Sequence, residues 1–438
     1  MSPFIIGICG IIAFIILIML KVPIAVSMSM VGFVGVSYLV SMQAAFRILA
    51  SEIYSTFSSY SLSVTPMFVL MGFFAYHAGI GNKLYHFAYK AIGHLKGGLA
   101  MASVAACAIF GAVSGSSPAT AATIGSIAVP EMRKYDYSKS LATASVASGG
   151  GLGIIIPPSV PFVIYGITTE QSISRLFIAG IIPGILLTLM YIAVIWLTVS
   201  KNPDIAPAAS GPRASFKEKI NALTGVLLDV LIVFGIAVGG LFAGWFTPTE
   251  AGGIGAAGVL LVTLIRGDMN WERFNCALVD TTRTTAMIMF LIAGATIFTR
   301  FISLSRIPFE IATWVGGLSL PSYFILFIVI LIYVFLGALI DSIPLILITV
   351  PIFYPVVVDT LGYDPIWFGV LISVIVAMAV ITPPVGVNVY VIKGVAPDVP
   401  LEEIFSGIWP FLIAAVIFCI ILILFPQIVT FLPNLLFN

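Results

Sequence analysis

The stretch from residue 111 to residue 165 is apolar enough to enter a membrane, yet it is interrupted twice. A serine-rich segment, residues 114–118, breaks the first apolar run, and a glycine-rich segment ending in Pro157–Pro158 breaks the second. In hydrocarbon every backbone N–H and C=O needs a partner, so a broken helix is tolerated only inside protein or beside a wet cavity. The breaks therefore predict either a binding site for an ion or polar solute, or close helix packing through small residues.

The second half of the chain repeats both breaks. A shift of 226 positions aligns residues 111–158 with residues 337–384 without a gap, and nine of these 48 positions are identical. The identical positions include the prolines of each break and one serine of each tip, since Ser116 aligns with Ser342. A repeat with interrupted hydrophobic segments in corresponding places is typical of the binding site of secondary transporters. The repeat therefore favours the binding-site interpretation.

The composition predicts an all-α polytopic membrane protein. Of the 438 residues 60% are hydrophobic and only 8% are charged, whereas soluble domains carry about 25% charged residues. The net charge of +1 gives no indication of a nucleic-acid partner. No G-x-x-x-x-G-K-[ST] motif for ATP occurs, and the four cysteines lack metal-site spacing. We expect no cofactor.

Basic residues predict how the segments lie in the membrane. They flank residues 97–132 on both sides, which predicts a re-entrant hairpin open to the cytoplasm, whereas residues 307–392 contain no Lys or Arg. The two hairpins then open to opposite faces, as inverted repeats. The predicted regions are N-terminal scaffold helices with an interfacial arm, 1–62; repeat 1, 63–200, with hairpin 97–132 and broken helix 138–169; a cytoplasmic linker, 201–219; scaffold helices, 220–283, with a second interfacial arm at 268–283; and repeat 2, 284–438, with hairpin 319–360 and broken helix 364–394.

With these segments placed, the chain resembles the large membrane subunit of TRAP (tripartite ATP-independent periplasmic) transporters over nearly its whole length. The matching stretches are GAVSGSSPATAATIGSIAVPEM (111–132), GGGLGIIIPPSVPFVIYG (149–166), RLFIAGIIPG (175–184), GWFTPTEAGGIGA (244–256) and ITPPVGVNVYV (381–391). The resemblance implies an elevator-type, sodium-coupled importer of an organic acid, such as sialic acid or a C4-dicarboxylate, in the bacterial inner membrane. It implies three partners besides lipid and substrate: the coupling ion, a soluble periplasmic binding protein and a separate small four-helix membrane subunit.

Sodium is a hard cation that takes oxygen ligands, and helix breaks supply free carbonyl groups. The resemblance places sodium between each hairpin tip and its broken helix. The residues that we expect at a first site are Ser114, Ser116, Gly153, Ile156 and Pro158, and those at a second site are Gly337, Asp341, Ser342, Ala379 and Thr382. Two alternatives stay open, because Thr382 could bond back to the carbonyl four residues earlier and Asp341 could make a structural hydrogen bond.

Substrate contacts are predicted where helices begin after the tips. Ser117 and Thr120, with Ser342, lie near helix N-termini, whose free N–H groups suit a carboxylate. Arg300 could reach a substrate carboxylate or extend to the membrane interface. One rival function is a sodium- or proton-coupled anion symporter without a binding protein. An intramembrane serine hydrolase would need a base beside Ser114 or Ser116, but all three histidines precede the tip, so we expect no enzyme. A purely structural membrane protein would not need paired breaks.

Overall fold

The computed structural model describes residues 2–207, 215–224, 226–317 and 320–437, and within these ranges all regular structure is helical. The predicted linker 201–219 lies partly outside the described residues, and so does residue 319, where the second hairpin is predicted to begin. Among the described residues, six helices are long and apolar enough to cross a membrane, or seven if two helices that meet at 55° form one span. The prediction of an all-α, multi-pass membrane protein is confirmed.

Eleven helices precede residue 207. They are α1 (Pro3–Met19), α2 (Ile24–Leu39), α3 (Met42–Ser58), α4 (Val64–His77), α5 (Ile80–Ile92), α6 (Gly98–Ser114), α7 (Ser117–Lys134), α8 (Lys139–Gly150), α9 (Leu152–Ile155), α10 (Val160–Thr168) and α11 (Ile173–Lys201).

The described part of the second half contains eleven more. They are α12 (Phe216–Leu223), α13 (Val226–Phe242), α14 (Pro248–Ile265), α15 (Trp271–Leu304), α16 (Ile307–Gly316), α17 (Ser322–Gly337), α18 (Ser342–Tyr354), α19 (Pro365–Ala379), α20 (Val387–Val395), α21 (Leu401–Leu424) and α22 (Gln427–Phe437). A short π-helical turn, Pro355–Thr360, follows α18.

Each hairpin turns where the sequence offers a helix stop and a helix start. Helix α6 ends before Gly115, whose φ of 61° is left-handed and therefore suits glycine. Ser116 then caps α7, because its hydroxyl accepts a hydrogen bond from the Ala119 N–H. In the second hairpin α17 ends at Gly337, and Asp341 caps α18. The first turn falls at the serine-rich segment predicted for the tip, whereas the second turn, residues 338–341, lies mostly before the tip predicted at residues 341–344.

The two broken helices form the centre of the molecule. The first consists of α8, α9 and α10, and the second of α19 and α20, and a cis Pro–Pro pair lies in the break of each. Proline lacks the N–H that an α-helix needs and its ring clashes with the preceding turn, so neither helix continues through its break. Every residue of 141–150 and of 366–379 is buried. Residues 151–155 and 157–159 of the first break are buried too, so its freed backbone groups are enclosed by protein, as a membrane requires, whereas Pro384 in the second break is exposed.

Two groups of helices meet around these breaks. In the outer group α2 packs along α15 and against α1 and α3, and α4 packs against both α14 and α15. The inner group contains the hairpins, the broken helices, α11 and α21. The groups touch where α4 contacts α6 of the first hairpin and where α15 contacts α18 of the second. Each hairpin thus has one helix of the outer group beside it.

The predicted interfacial arm at 268–283 is not a separate helix. Helix α15 runs from Trp271 to Leu304 without interruption, because residues 271–293 contain neither proline nor glycine. The first half differs, since α3 and α4 are separate helices that meet at 55°. The domain boundaries drawn from the sequence stay predictions.

Candidate ion and substrate site

A cavity of about 440 Å³ lies between the two hairpin tips. The first tip lines it with residues 114–119 and the second with residues 341–343. The opposite wall is formed by α4 and by α15, which contribute Gly72 and Asp280 among other residues. Two segments that are separated by more than 200 positions in the sequence therefore share one cavity.

Three oxygen atoms gather beside the first tip. The Ser114 hydroxyl lies 2.9 Å from the Thr120 hydroxyl, which donates a hydrogen bond of 2.7 Å to the Ser116 carbonyl. The first broken helix reaches this cluster at Gly153, where an added β-carbon would lie 3.0 Å from both the Ser116 carbonyl oxygen and the Thr120 hydroxyl. Hydroxyl and carbonyl oxygens are the ligands that a hard cation prefers. We call these three atoms the first oxygen cluster.

The first tip also contacts the break beyond Gly153. A β-carbon on Gly115 would lie 2.7 Å from the Pro158 carbonyl oxygen, and the Gly115 carbonyl accepts a hydrogen bond of 3.4 Å from the Val160 N–H. Ile156 lies in the same break, and its side chain packs at Gly184 of α11. All five residues predicted for the first ion site therefore lie at the tip or in the first broken helix that it contacts.

In the second half the hairpin also packs on its broken helix, but the polar groups near the tip make different hydrogen bonds. A β-carbon on Gly337 would lie 2.5 Å from that of Ala379, so the second hairpin packs closely on its broken helix. The Thr382 hydroxyl donates to the Met378 carbonyl at 2.8 Å, four residues earlier. One carboxylate oxygen of Asp341 accepts from both the N–H and the hydroxyl of Ser342, at 2.7 and 3.2 Å. Both interactions were alternatives to ion binding, and they leave lone pairs for a cation on the Thr382 hydroxyl oxygen and on the other carboxylate oxygen of Asp341.

The residues predicted to bind substrate do not lie together. Ser117 lines the cavity, and its hydroxyl donates to the Asn388 side chain at 2.9 Å. Thr120 belongs to the first oxygen cluster. The Arg300 guanidinium lies 2.7 Å from the Glu52 carboxylate of α3, so it ties two helices of the outer group. The hydroxyl of Ser116 caps α7, and its carbonyl, not its hydroxyl, is the oxygen in the cluster.

Two lining residues of α15 were not predicted from the sequence. Asp280 and Thr284 lie one turn apart and both face the cavity, as residues four apart on a helix do. The Asp280 carboxylate is 2.8 Å from Nε2 of His77 on α4, so this pair joins the two outer helices at the cavity wall. The four-residue spacing of Asp280 and Thr284 could have indicated a polar helix face, but an interfacial arm was predicted for residues 268–283.

An all-helical membrane protein in which two hairpin tips share one cavity, with each hairpin packed on a broken helix, belongs to the class of membrane transporters. The family model described as "Tripartite ATP-independent periplasmic transporter, DctM component" matches residues 11–428. The chain belongs to this family, which confirms the resemblance found in the sequence.

Individual relatives agree with this assignment. The chain is 38% identical to the C4-dicarboxylate TRAP transporter large permease protein of Pseudomonas aeruginosa, over 89% of this chain and 90% of that protein. It is 30% identical to the sialic acid TRAP transporter large permease protein of Vibrio cholerae, over 92% and 93%. The crystal structure of the YdaH transporter of Alcanivorax borkumensis shares the fold, with a TM-score of 0.62 and 14% identity over 88% of this chain and 89% of that one.

Proposed function

We propose that this chain is the large permease of a sodium-coupled importer of an organic acid in a bacterial inner membrane. The observation that carries the proposal is the cavity into which both hairpin tips point, each tip next to a broken helix. The names of the relatives support the substrate class, because C4-dicarboxylates and sialic acid are both carboxylates. The relatives are named as permeases, which points to transport and not to catalysis.

The charges around the cavity support a coupling cation. Its acidic lining residues are Asp280 and Asp341, and no Lys or Arg occurs among its lining residues. An anionic substrate therefore needs positive charge from elsewhere. The N-termini of α7 and α18 supply partial positive charge at Ser117 and Ser342, and sodium at two sites would supply the rest. We place these ions at the first oxygen cluster with Pro158 and Ile156, and between residues 337–342 and residues 379–382.

The two helix groups support an elevator mechanism, in which the inner group carries the cavity past the outer group. The two groups approach each other closely at the cavity, since a β-carbon on Gly72 of α4 would lie 3.0 Å from the Ser114 α-carbon. The outer group presents exposed apolar side chains such as Ile12 and Val34, which are 51% and 64% exposed. That surface suits lipid and the small four-helix membrane subunit. A soluble periplasmic binding protein would deliver the substrate.

Uptake by proteoliposomes tests this proposal. The chain would be reconstituted with its small subunit, and uptake of labelled carboxylates would be measured with and without the cognate binding protein. We expect uptake to require both the binding protein and an inward sodium gradient, and to be indifferent to ATP. Full uptake in potassium-only vesicles would contradict the coupling ion. Uptake that does not need the binding protein would favour the rival, a symporter that works alone.

A further inference from the structure

Asn388 is a fully buried amide in the first turn of α20. Its side-chain NH₂ donates to the Ala147 carbonyl of α8 at 2.8 Å, and its side-chain oxygen accepts from the Ser117 hydroxyl of α7 at 2.9 Å. Its backbone N–H donates to the Val380 carbonyl at 3.0 Å, across the second break. Because a carbonyl can only accept, Ala147 fixes which end of the amide is the NH₂ group. One residue thus joins the first hairpin, the first broken helix and the second broken helix.

The first broken helix is shaped to receive this amide. Ala147 is one of the last four residues of α8, whose carbonyl groups lack partners within a helix. A carbonyl left unpaired in a dry interior is costly, and Asn388 satisfies it. Gly150 leaves the necessary room, since a β-carbon there would lie 3.0 Å from the Asn388 nitrogen and 2.7 Å from the Ala121 β-carbon.

The contacts of Asn388 lie next to both proposed ion sites. Ser117 directly follows Ser116, whose carbonyl is in the first oxygen cluster. Val380 lies between Ala379 and Thr382, which belong to the second proposed site. The first repeat has no equivalent of the Asn388 hydrogen bonds. The residue 226 positions before Asn388 is Phe162, whose side chain cannot make them.

We propose that Asn388 is a positioning residue that couples the two sodium sites. An ion at the first site fixes the start of α7 and with it the Ser117 hydroxyl. That hydroxyl holds Asn388, and Asn388 holds the carbonyl of Val380 and so the geometry of the second site. Occupation of either site therefore raises the sodium affinity of the other, because such coupling is reciprocal. This proposal rests on the proposed function, since it requires that both sites bind sodium.

The test is the sodium dependence of uptake in proteoliposomes that contain the chain, its small subunit and the binding protein. Ser117→Ala removes one hydrogen bond and leaves Ala147 paired, and Asn388→Leu removes both side-chain hydrogen bonds while keeping the branched shape of the side chain. The matched control is Ser145→Ala, since Ser145 is buried in α8 and its hydroxyl bonds within that helix. We expect a Hill coefficient near two for the wild type and the control, and a value approaching one for the two variants.

A merely structural role would change protein yield and thermal stability but would leave the Hill coefficient unchanged. An unchanged Hill coefficient in Ser117→Ala would therefore overturn the coupling role, even if Asn388→Leu does not fold. A Hill coefficient of one in the wild type would overturn it as well, while sodium-coupled import would stand. Wild-type uptake without any sodium dependence would instead overturn the proposed function together with the coupling.

Discussion

Gly111 and Gly153 lie backbone against backbone, because a β-carbon on Gly111 would lie 2.8 Å from the Gly153 α-carbon. The residues 226 positions later, Gly337 and Ala379, stand in the same relation, with a β-carbon on Gly337 placed 2.5 Å from that of Ala379. Each pair joins the first arm of a hairpin to its broken helix shortly before the break. The repeat found in the sequence is therefore also a repeat of contacts.

The proposed elevator mechanism moves the first hairpin along α4, which predicts that Gly72 tolerates no side chain. A β-carbon on Gly72 would lie 3.0 Å from the Ser114 α-carbon, so Gly72→Val wedges the tip away from α4. Overpacking of this kind costs about 1–3 kcal/mol, which corresponds to roughly five- to 150-fold in an equilibrium or a rate. We expect uptake to fall by such a factor at normal yield. Gly253→Val on α14 is the control, since nothing lies within 4 Å of its β-carbon position, and equal uptake by both variants would contradict the prediction.

Inverted repeats predict that the end of α11 and the start of α14 lie on opposite faces of the membrane. In a variant without the four native cysteines, a cysteine replacing Lys201 should react with an impermeant reagent from the cytoplasmic side. A cysteine replacing Thr247, which caps α14, should react from the periplasmic side. The positive-inside rule gives this orientation. Labelling of both positions from one side would contradict the inverted arrangement.

A surface ion pair between the two halves predicts acid sensitivity. Hydrogen bonding to Arg133, at 2.7 Å, lowers the pKa of Asp398 below its usual range, and Lys139 lies 3.5 Å away. Because the folded-state pKa is lowered, the pair stabilises the protein at neutral pH. That contribution fades as the pH falls below about 5 and is lost once the lowered pKa is passed.

Asp398→Asn should therefore lower the melting temperature at pH 7, and the difference from the wild type should disappear in acid. The shift should be small, because both side chains are exposed. Thermal unfolding of the purified protein at pH 7 and at a pH below the lowered pKa of Asp398 checks this. A difference that persists in acid would show that Asp398 stabilises the protein in another way.

Sequence patterns that act locally predicted the structure well. Gly115 and Pro118 mark the first tip and the Pro–Pro pairs mark the breaks, because these residues act on the backbone where they stand. Contacts between distant segments were not predictable in this way. Asp280 meets His77 across 203 positions, and Ser117 meets Asn388 across 271. The sequence also could not predict which oxygen of Ser116, the carbonyl or the hydroxyl, lies in the first oxygen cluster. The two oxygens belong to one residue, and the backbone conformation of the turn determines which of them faces Thr120.

The central claim is that each tip and its break bind one sodium ion. Ser114→Ala removes a hydroxyl from the first oxygen cluster, and Thr382→Val removes the hydroxyl proposed for the second site. A buried polar partner left unmet costs about 1–3 kcal/mol, which is roughly five- to 150-fold in affinity. Ser200→Ala at the exposed end of α11 is the control.

The measurement is the sodium concentration that gives half-maximal uptake in proteoliposomes with the binding protein present. We predict that this concentration rises by that factor for Ser114→Ala and for Thr382→Val, and stays at the wild-type value for Ser200→Ala. Wild-type values for both site variants would contradict the claim that the two tips and breaks hold the coupling ions.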